Sequence, residues 1–256
     1  MKRILRLTAW VLREPTVWRI ALLMVLVLVF SATGGIVRSS AGPQEAPERG
    51  VENVLEDAPS VIIGAAYPFL FPLIAILATL GLAAPRESGA FATLQALGFR
   101  RGEIYPAHTL AIWVIALVPA VAAFLVLPPL VEPSLALAGR LDALYPAGYW
   151  LAMPRLFLTL LFLTLFAAAF AMLLRRPSTA FAAMIGFFFV GWYLAASLGP
   201  FFVFAPSPAF RNAYGDLRPV PGIPVDPNYT FVLYLLAALA VYLVAWIHAT
   251  RRGELA

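Results

Sequence analysis

The 256-residue chain is 62% hydrophobic and 12% charged, with a net charge of +5, two histidines and no cysteine. An average soluble domain carries about 25% charged residues, so this composition excludes an ordinary soluble fold. It predicts an all-α integral membrane protein, because helices satisfy their own backbone hydrogen bonds in lipid. The lack of cysteine excludes disulfides and thiolate metal sites.

Residues 1–16 are predicted to form a basic amphipathic helix in the cytoplasmic headgroup layer. Ile4, Leu7, Trp10 and Val11 alternate there with basic residues at mixed helical spacing. Such a pattern is typical of interfacial helices, with the tryptophan at the headgroup level. The simpler interpretation is that these residues are only the positive flank of the first membrane span.

Six apolar runs are predicted to cross the membrane as helices of a single transmembrane domain, 1–256. Pro68 and Pro72 in the second run are expected to kink or locally unwind it, since each removes a helical hydrogen bond. The fifth run is unusually aromatic, and lipid contact or helix packing would explain that as well as a transport pathway. The residues that could mark a pathway or gate are Pro68, Pro72, Phe188, Trp192 and Tyr193. The spans are predicted at about 17–37, 61–84, 106–127, 154–174, 179–198 and 230–247.

The positions of the basic residues predict the orientation. With both termini in the cytoplasm, the inner segments hold twelve of the 18 Lys and Arg residues, and most acids lie outside. This bias agrees with the positive-inside rule. The basic charge is therefore an orientation signal for a multi-pass protein of the inner or plasma membrane, and it calls for no nucleic-acid partner. Residues 199–229 hold seven prolines and are predicted to be an outer segment that is not one continuous helix.

Recognisable catalytic patterns are missing from the sequence, which has no H-E-x-x-H and no G-x-x-x-x-G-K-[ST]. His108 and His248 are expected to be interfacial polar residues at the ends of spans. Every charged residue lies in a loop or within about a turn of a span end, so no carrier for a coupling ion is visible. We therefore expect no enzyme, and a largely apolar and aromatic pathway suited to a lipid-like or amphipathic cargo.

The charged stretch between the second and third spans is longer than a connector requires, since about twenty residues stand where ~2–8 suffice. Its composition favours a helix with one apolar face, formed by Ala90, Phe91, Leu94 and Leu97. Gly98 fits the left-handed C′ position of a Schellman motif, in which Leu94 and Phe99 are the C3 and C″ residues that touch. The sequence thus predicts one capped helix of about three turns at 86–98, beneath the membrane.

This stretch resembles a known signature. Its residues Arg86-Glu87-Ser-Gly89 and Leu94-Gln-Ala-Leu97-Gly-Phe-Arg100-Arg101-Gly-Glu103-Ile are similar to the E-x-G-T-L-x-x-L-x-x-x-P-x-x-R-x-E-I motif of ABC type-2 permeases. Arg13-Glu14-Pro15 looks like the amino-terminal R-D-P of that family, and the six spans and the elaborated outer segment agree with it. The chain departs from the motif at Ala90-Phe91, where Thr-Leu is usual, and at Leu97-Gly98-Phe99, where a Leu-Pro turn is common.

The resemblance implies a non-catalytic permease subunit of an ABC exporter. Such a subunit pairs with a second permease subunit, as a homodimer or heterodimer, and binds separate ATPase subunits that hold the ATP and Mg²⁺, so no cofactor is expected on this chain. The helix at 86–98 would be the coupling helix that seats in the ATPase. Glu87 with Arg100 or Arg101 would make polar contacts and Phe91 and Leu94 would be buried anchors, although a simply solvated loop also explains the charges. The residues implied in docking are Arg86, Glu87, Gly89, Phe91, Leu94, Gly98, Arg100, Arg101 and Glu103.

Other interpretations stay open. The run Ala96-Leu97-Gly98 is also similar to the lipoprotein-release and cell-division permeases, but the loop at 39–60 is too short for their large outer domain. A secondary transporter built as an inverted repeat of three spans plus three fits the proline-containing second span, but lacks charges inside the membrane. An intramembrane enzyme ranks behind both, because no nucleophile, metal set or acid pair appears.

Overall fold

A computed structural model describes residues 1–15, 18–23, 25–26, 70–131, 133–145, 147–174, 176–197 and 227–251. Within these ranges the regular secondary structure is helical throughout. Residues 18–23 and 25–26 of the predicted first span are helical, while the rest of that span and Pro68 lie outside the described residues. The predicted outer segment lies outside them up to residue 226, and Pro227 already belongs to the last helix.

Besides the helical residues 18–23 and 25–26, nine helices are described, and four of these nine are long and apolar enough to cross a membrane. Those four are α2, α4, α7 and α9. The described part of the chain is thus all-helical, and these helices have the length and composition of membrane-spanning helices. The fully described part of the fifth predicted span, Pro177–Phe187 of α8, is a shorter apolar helix. The helices are α1 (Lys2–Val11), α2 (Leu70–Glu87), α3 (Ala90–Ala96), α4 (Arg101–Val131), α5 (Pro133–Leu137), α6 (Leu141–Leu144), α7 (Ala147–Leu173), α8 (Pro177–Ser197) and α9 (Pro227–Arg251).

Helix α7 lies at the centre of the bundle. It packs along α9 and also touches α2, α4 and α8, and 67% of Leu156–Leu173 is buried. The contact surfaces of α7 and α9 are rich in fully buried alanines, such as Ala168 and Ala245. Small residues let helix backbones approach closely, which is how helices associate where lipid removes the hydrophobic driving force.

The amino-terminal helix predicted over residues 1–16 is present as α1, Lys2–Val11. Leu7 and Thr8 are buried against α4, while Trp10 is 61% exposed. The Thr8 hydroxyl donates to the carbonyl oxygens of Ile4 at 2.9 Å and of Ala107 at 3.1 Å, sharing its proton between them. One face of α1 is thus fixed to α4, and the tryptophan remains free to contact a membrane surface.

Helix α4 begins earlier than predicted. The sequence placed the start of the third span at Pro106, whereas the helix starts at Arg101. Glu103, its third residue, accepts a hydrogen bond from the backbone N–H of Arg100 at 2.9 Å, which is one half of a capping box and satisfies an otherwise unpaired donor. At 31 residues, α4 is about 46 Å long, so it exceeds the ~30 Å hydrocarbon core.

The prediction of a single helix at 86–98 is wrong in one respect. Arg86 and Glu87 complete α2, and the chain turns at Gly89, whose φ of 79° is left-handed. Glycine adopts this conformation without steric cost, so Gly89 ends α2 and precedes α3. Helix α3 has seven residues, about two turns rather than three.

The predicted end of that helix is confirmed. Gly98 has a φ of 87°, its N–H donates to the Gln95 carbonyl at 2.9 Å, and the Phe99 N–H donates to the Leu94 carbonyl at 3.1 Å. These are the two hydrogen bonds of a Schellman motif. The motif fixes the direction in which the chain leaves α3 and enters α4.

Candidate functional site

The candidate site lies at one end of the bundle, called here the α3 end, where α3 packs on the end of α2 and the start of α4, near the last turns of α7 and α9. Arg86, in the last turn of α2, donates hydrogen bonds to the carbonyl oxygens of Met172 at 2.7 Å and of Leu174. The last carbonyls of a helix lack partners within it, and positive charge is favourable beside them. Arg86 therefore joins the end of α2 to the end of α7.

Helix α3 is anchored on α4 by its apolar face. Phe91 and Leu94 are 6% and 8% exposed. The Phe91 ring meets Tyr105 and His108 edge-on, with centroid distances of 5.5 and 5.0 Å. We had expected Phe91 and Leu94 to be anchors in a contact with a partner, but both are already buried inside this chain. They hold α3 in place and leave its opposite face available.

The opposite face of α3 and its flanks carry most of the other predicted docking residues. Glu87, Gly98 and Arg100 are exposed and Arg101 is half-buried. Leu97 is 71% exposed, although the sequence pattern had assigned it to the apolar face. An exposed leucine between an acid and two arginines gives this surface both apolar and charged contacts. Glu103 has a local role instead, since its carboxylate caps α4.

A cavity of about 240 Å³ opens between α3 and the ends of α4, α7 and α9. Its polar lining comes from Arg86, Gln95, Arg101 and His248, together with the aromatic Tyr105. Among the described residues that line it there is no carboxylate and no serine or cysteine. The cavity is therefore suited to receiving acceptor groups or water.

The burial of His108 by other parts of the chain was not predicted from the sequence. The residue was expected to be an interfacial polar residue at the start of a span, and its depth in a membrane stays a prediction. Within the chain it lies about two turns into α4 and is 6% exposed. Neither ring nitrogen has a hydrogen-bond partner among the described residues, although the backbone of Gly81 is its polar neighbour. The capping residue Glu103 was the signal that could have revealed the earlier helix start.

Gly81 lies in the one departure of α2 from α-helical geometry, a π-helical segment at Thr79–Ala83. The described part of α2 before it is α-helical from residue 70 to 78. The hydrogen bond that Pro72 would remove runs back to residue 68, outside the described residues, so the predicted kink or unwinding stays a prediction. A Cβ atom on Gly81 would lie 3.3 Å from Ile112 Cδ1. The glycine therefore permits a close approach of α2 to α4 at this level. Single-turn π segments frequently occur at functional sites.

A second polar link joins α9 to α4. The Tyr242 hydroxyl donates to Thr109 Oγ1 at 3.3 Å, and Thr109 donates to the Tyr105 carbonyl at 2.9 Å. Both side chains are buried. Arg86 thus links α2 to the end of α7, and this contact links α9 to α4.

The other residues predicted to mark a pathway or gate are only partly described by the structure. Pro72 is half-buried in α2, and Pro68 lies outside the described residues. The backbone of α8 includes Phe188, Trp192 and Tyr193, whose side chains also lie outside them. In the described part of α8, Phe187 packs on Phe166 of α7 with ring centroids 4.7 Å apart. This contact is helix packing, the simpler of the two explanations for the aromatic run.

A scan against models of known protein families finds no match, and a search of the curated proteins finds no significant similarity. The α3 end is therefore interpreted from its own residues.

Proposed function

We propose that this chain is the transmembrane permease subunit of an ATP-binding cassette transporter, which exports a lipid-like or amphipathic substrate with energy from a separate ATPase subunit. The observation that carries the proposal is the way in which α3 is held against the long helices. Its inner face is buried on α4, its end is fixed by the Schellman motif, and the preceding turn is bonded through Arg86 to the end of α7. A push on α3 is therefore transmitted to three long helices.

The surface that α3 presents supports a protein contact. Leu97 is an exposed apolar residue, and the exposed charged residues Glu87 and Arg100 precede and follow it along the chain. An apolar centre with a polar rim is typical of protein–protein interfaces. The seven-residue α3 itself is small, so we expect the partner to enclose it in a cleft. The ATP and Mg²⁺ of the proposed transporter belong to that partner.

The first test is complex formation. The purified chain should form a stable complex with an ATPase that carries a G-x-x-x-x-G-K-[ST] loop, for instance one encoded beside it, measured by co-purification and size-exclusion chromatography. A permease with an intact α3 that binds no such ATPase would contradict the proposal. The same experiment shows whether a second permease subunit joins as a homodimer or a heterodimer.

A charge reversal tests the docking surface itself. Glu87→Arg should uncouple transport from ATP hydrolysis while the membrane subunit stays folded. The reason is that an arginine at this position would repel the basic group of the ATPase that Glu87 is proposed to attract. Asp142→Arg is the matched control, since Asp142 is also an exposed acid but lies in α6, beyond the other end of α4. Coupled activity that survives Glu87→Arg unchanged would remove the role we give that residue.

A secondary transporter without an ATPase partner is the second candidate, and His108 is the observation in its favour. A buried histidine inside a membrane helix is the kind of group that proton-coupled transporters use. Substrate uptake into proteoliposomes driven by a pH gradient alone, and lost in His108→Gln, would support this candidate over the first.

A further inference from the structure

A second cavity, of about 460 Å³, lies between the end of α1, α2 and α4, and Ile20 of the predicted first span also lines it. It is called here the α1 cavity. Its walls are apolar over most of their surface, with contributions from Leu77, Ile112 and Ile115. Arg13, Glu14 and Trp10 line its outer part, and Glu14 already has an interaction of its own within the chain. The volume is within the range of small-molecule sites, about 300–1,000 Å³.

His108 lines the α1 cavity as well. It is 6% exposed, and neither ring nitrogen makes a well-formed hydrogen bond among the described residues. The backbone of Gly81 is a polar neighbour that can serve only one of the two nitrogens. Buried polar groups are nearly always hydrogen-bonded, and one that is not indicates a missing partner. An imidazole ring offers an N–H donor and a nitrogen acceptor, so a hydroxyl group placed in the cavity can satisfy the nitrogen that Gly81 does not serve.

The lining residues differ in polarity and exposure. Arg13 is exposed and follows the end of α1, while His108 is buried in α4. Ile115 lies seven residues after His108 on α4, about 10 Å farther along the helix axis. The lining thus combines an exposed guanidinium, a buried imidazole and aliphatic side chains. A phosphate, a hydroxyl and a hydrocarbon chain are the complementary groups, and a single amphiphile carries all three.

We propose that the α1 cavity binds a single-chain amphiphile that carries a phosphate headgroup, a lysophospholipid. Its phosphate pairs with Arg13, because guanidinium groups match phosphate oxygens with charge-assisted hydrogen bonds. Its glycerol hydroxyl bonds to His108. Its acyl chain runs past Ile112 and Ile115 toward the bilayer centre. A cavity of this volume suits one chain rather than two.

The proposal deepens the proposed function, on which the role of this molecule as cargo rests. Binding itself requires only the membrane chain. It is therefore tested on that chain alone, without any ATPase. A failure to bind the amphiphile would not affect the test of the ATPase complex, and a failure to bind an ATPase would not affect this one.

The experiment is photoaffinity labelling of the full chain in nanodiscs of phosphatidylcholine. The probe is a lysophosphatidylglycerol with a diazirine in its acyl chain. We expect saturable labelling that maps to the segments around Leu77 and Ile112. His108→Phe and Arg13→Ala should each weaken the apparent affinity about tenfold, the size expected for one lost hydrogen bond to a charged or buried group. Arg176→Ala, which removes an exposed arginine elsewhere, should change the affinity less than twofold.

A folding defect is separated from a binding defect by the melting temperature without ligand. Phe has no ring nitrogen to desolvate and keeps an aromatic edge against Phe91, so the melting temperature of the His108→Phe variant should stay the same or rise. A variant that melts higher and binds more weakly supports the proposal. Labelling that does not saturate, or equal affinity in wild type and His108→Phe, would overturn it. Equal losses in Arg13→Ala and Arg176→Ala would overturn the phosphate contact.

Competition identifies the ligand class. Unlabelled lysophosphatidylglycerol should displace the probe. Equal competition by a fatty acid would overturn the assignment of a phosphate, and equal competition by two-chain phosphatidylglycerol would overturn the assignment of a single chain.

Discussion

Nη1 of Arg86 lies 2.7 Å from the carbonyl oxygen of Met172. The two residues belong to the last turns of α2 and α7, and the same guanidinium also reaches Leu174. The charge of Arg86, which the sequence motif assigned to docking, is thus used inside the chain to hold two helix ends together. Since α3 begins four residues after Arg86, this contact also sets where α3 leaves the bundle.

Replacing Arg86 should therefore loosen the bundle. Arg86→Ala removes hydrogen bonds from a charged donor to two carbonyls, and we expect it to cost about 1–3 kcal/mol of stability. Thermal unfolding of the detergent-purified protein, followed by fluorescence-detected size exclusion, measures the loss. Arg100→Ala serves as the control, since Arg100 is exposed, and an equal loss in both variants would contradict the bridging role.

The Schellman motif at Gly98 gives a second prediction. A side chain at a left-handed position costs roughly 1–2 kcal/mol, so Gly98→Ala should lower stability even though no atom lies within 4 Å of the new Cβ. Gly186, in the middle of α8, is equally open but has no left-handed φ. Gly186→Ala should therefore be neutral or stabilising in the same unfolding assay, and a loss of equal size there would argue against the backbone explanation.

Helix α1 should detach more easily when its hydrogen bond to α4 is removed. Thr8→Val keeps the shape of the side chain and loses the donor to Ala107, at a cost of about 1 kcal/mol. The chain has no cysteine, so a single Leu7→Cys reports on the interface by its rate of maleimide labelling. Leu7 is 2% exposed and Leu5 is 50% exposed; labelling at Leu5→Cys should be fast, and labelling at Leu7→Cys should be slow and should accelerate in Thr8→Val.

The two ends of α4 should lie on opposite sides of the membrane. The helix is about 46 Å long, longer than the hydrocarbon core, with Glu87 before its start and Asp142 after its end. Glu87→Cys and Asp142→Cys are both at exposed positions. In intact cells an impermeant maleimide should label Asp142→Cys and reach Glu87→Cys only after permeabilisation. Labelling of both from outside would contradict the orientation inferred from the basic residues.

Local features of this protein follow from nearby residues. The low charge and long apolar runs determine a helical membrane protein, because lipid offers the backbone no other hydrogen-bond partners. Gly98 with Leu94 and Phe99 determines a helix end, since these residues and the backbone of Gln95, all within six positions, complete the motif. The helix beginnings were harder to predict. The role of Glu103 as a cap and of Gly89 as a turn can be read from sequence only in hindsight, because each pattern also fits a longer coupling helix.

Contacts between distant residues were decided by the tertiary structure. Arg86 bonds to Met172, Thr8 to Ala107 and Tyr242 to Thr109, pairs that are 86, 99 and 133 positions apart. No periodicity in the sequence identifies such partners, because they depend on which helices pack together and how far each slides along the other. The burial of His108 has the same origin. The sequence alone thus determined that α3 would be a capped helix beside a membrane bundle, and packing decided that its apolar face, Phe91 and Leu94, is buried on α4.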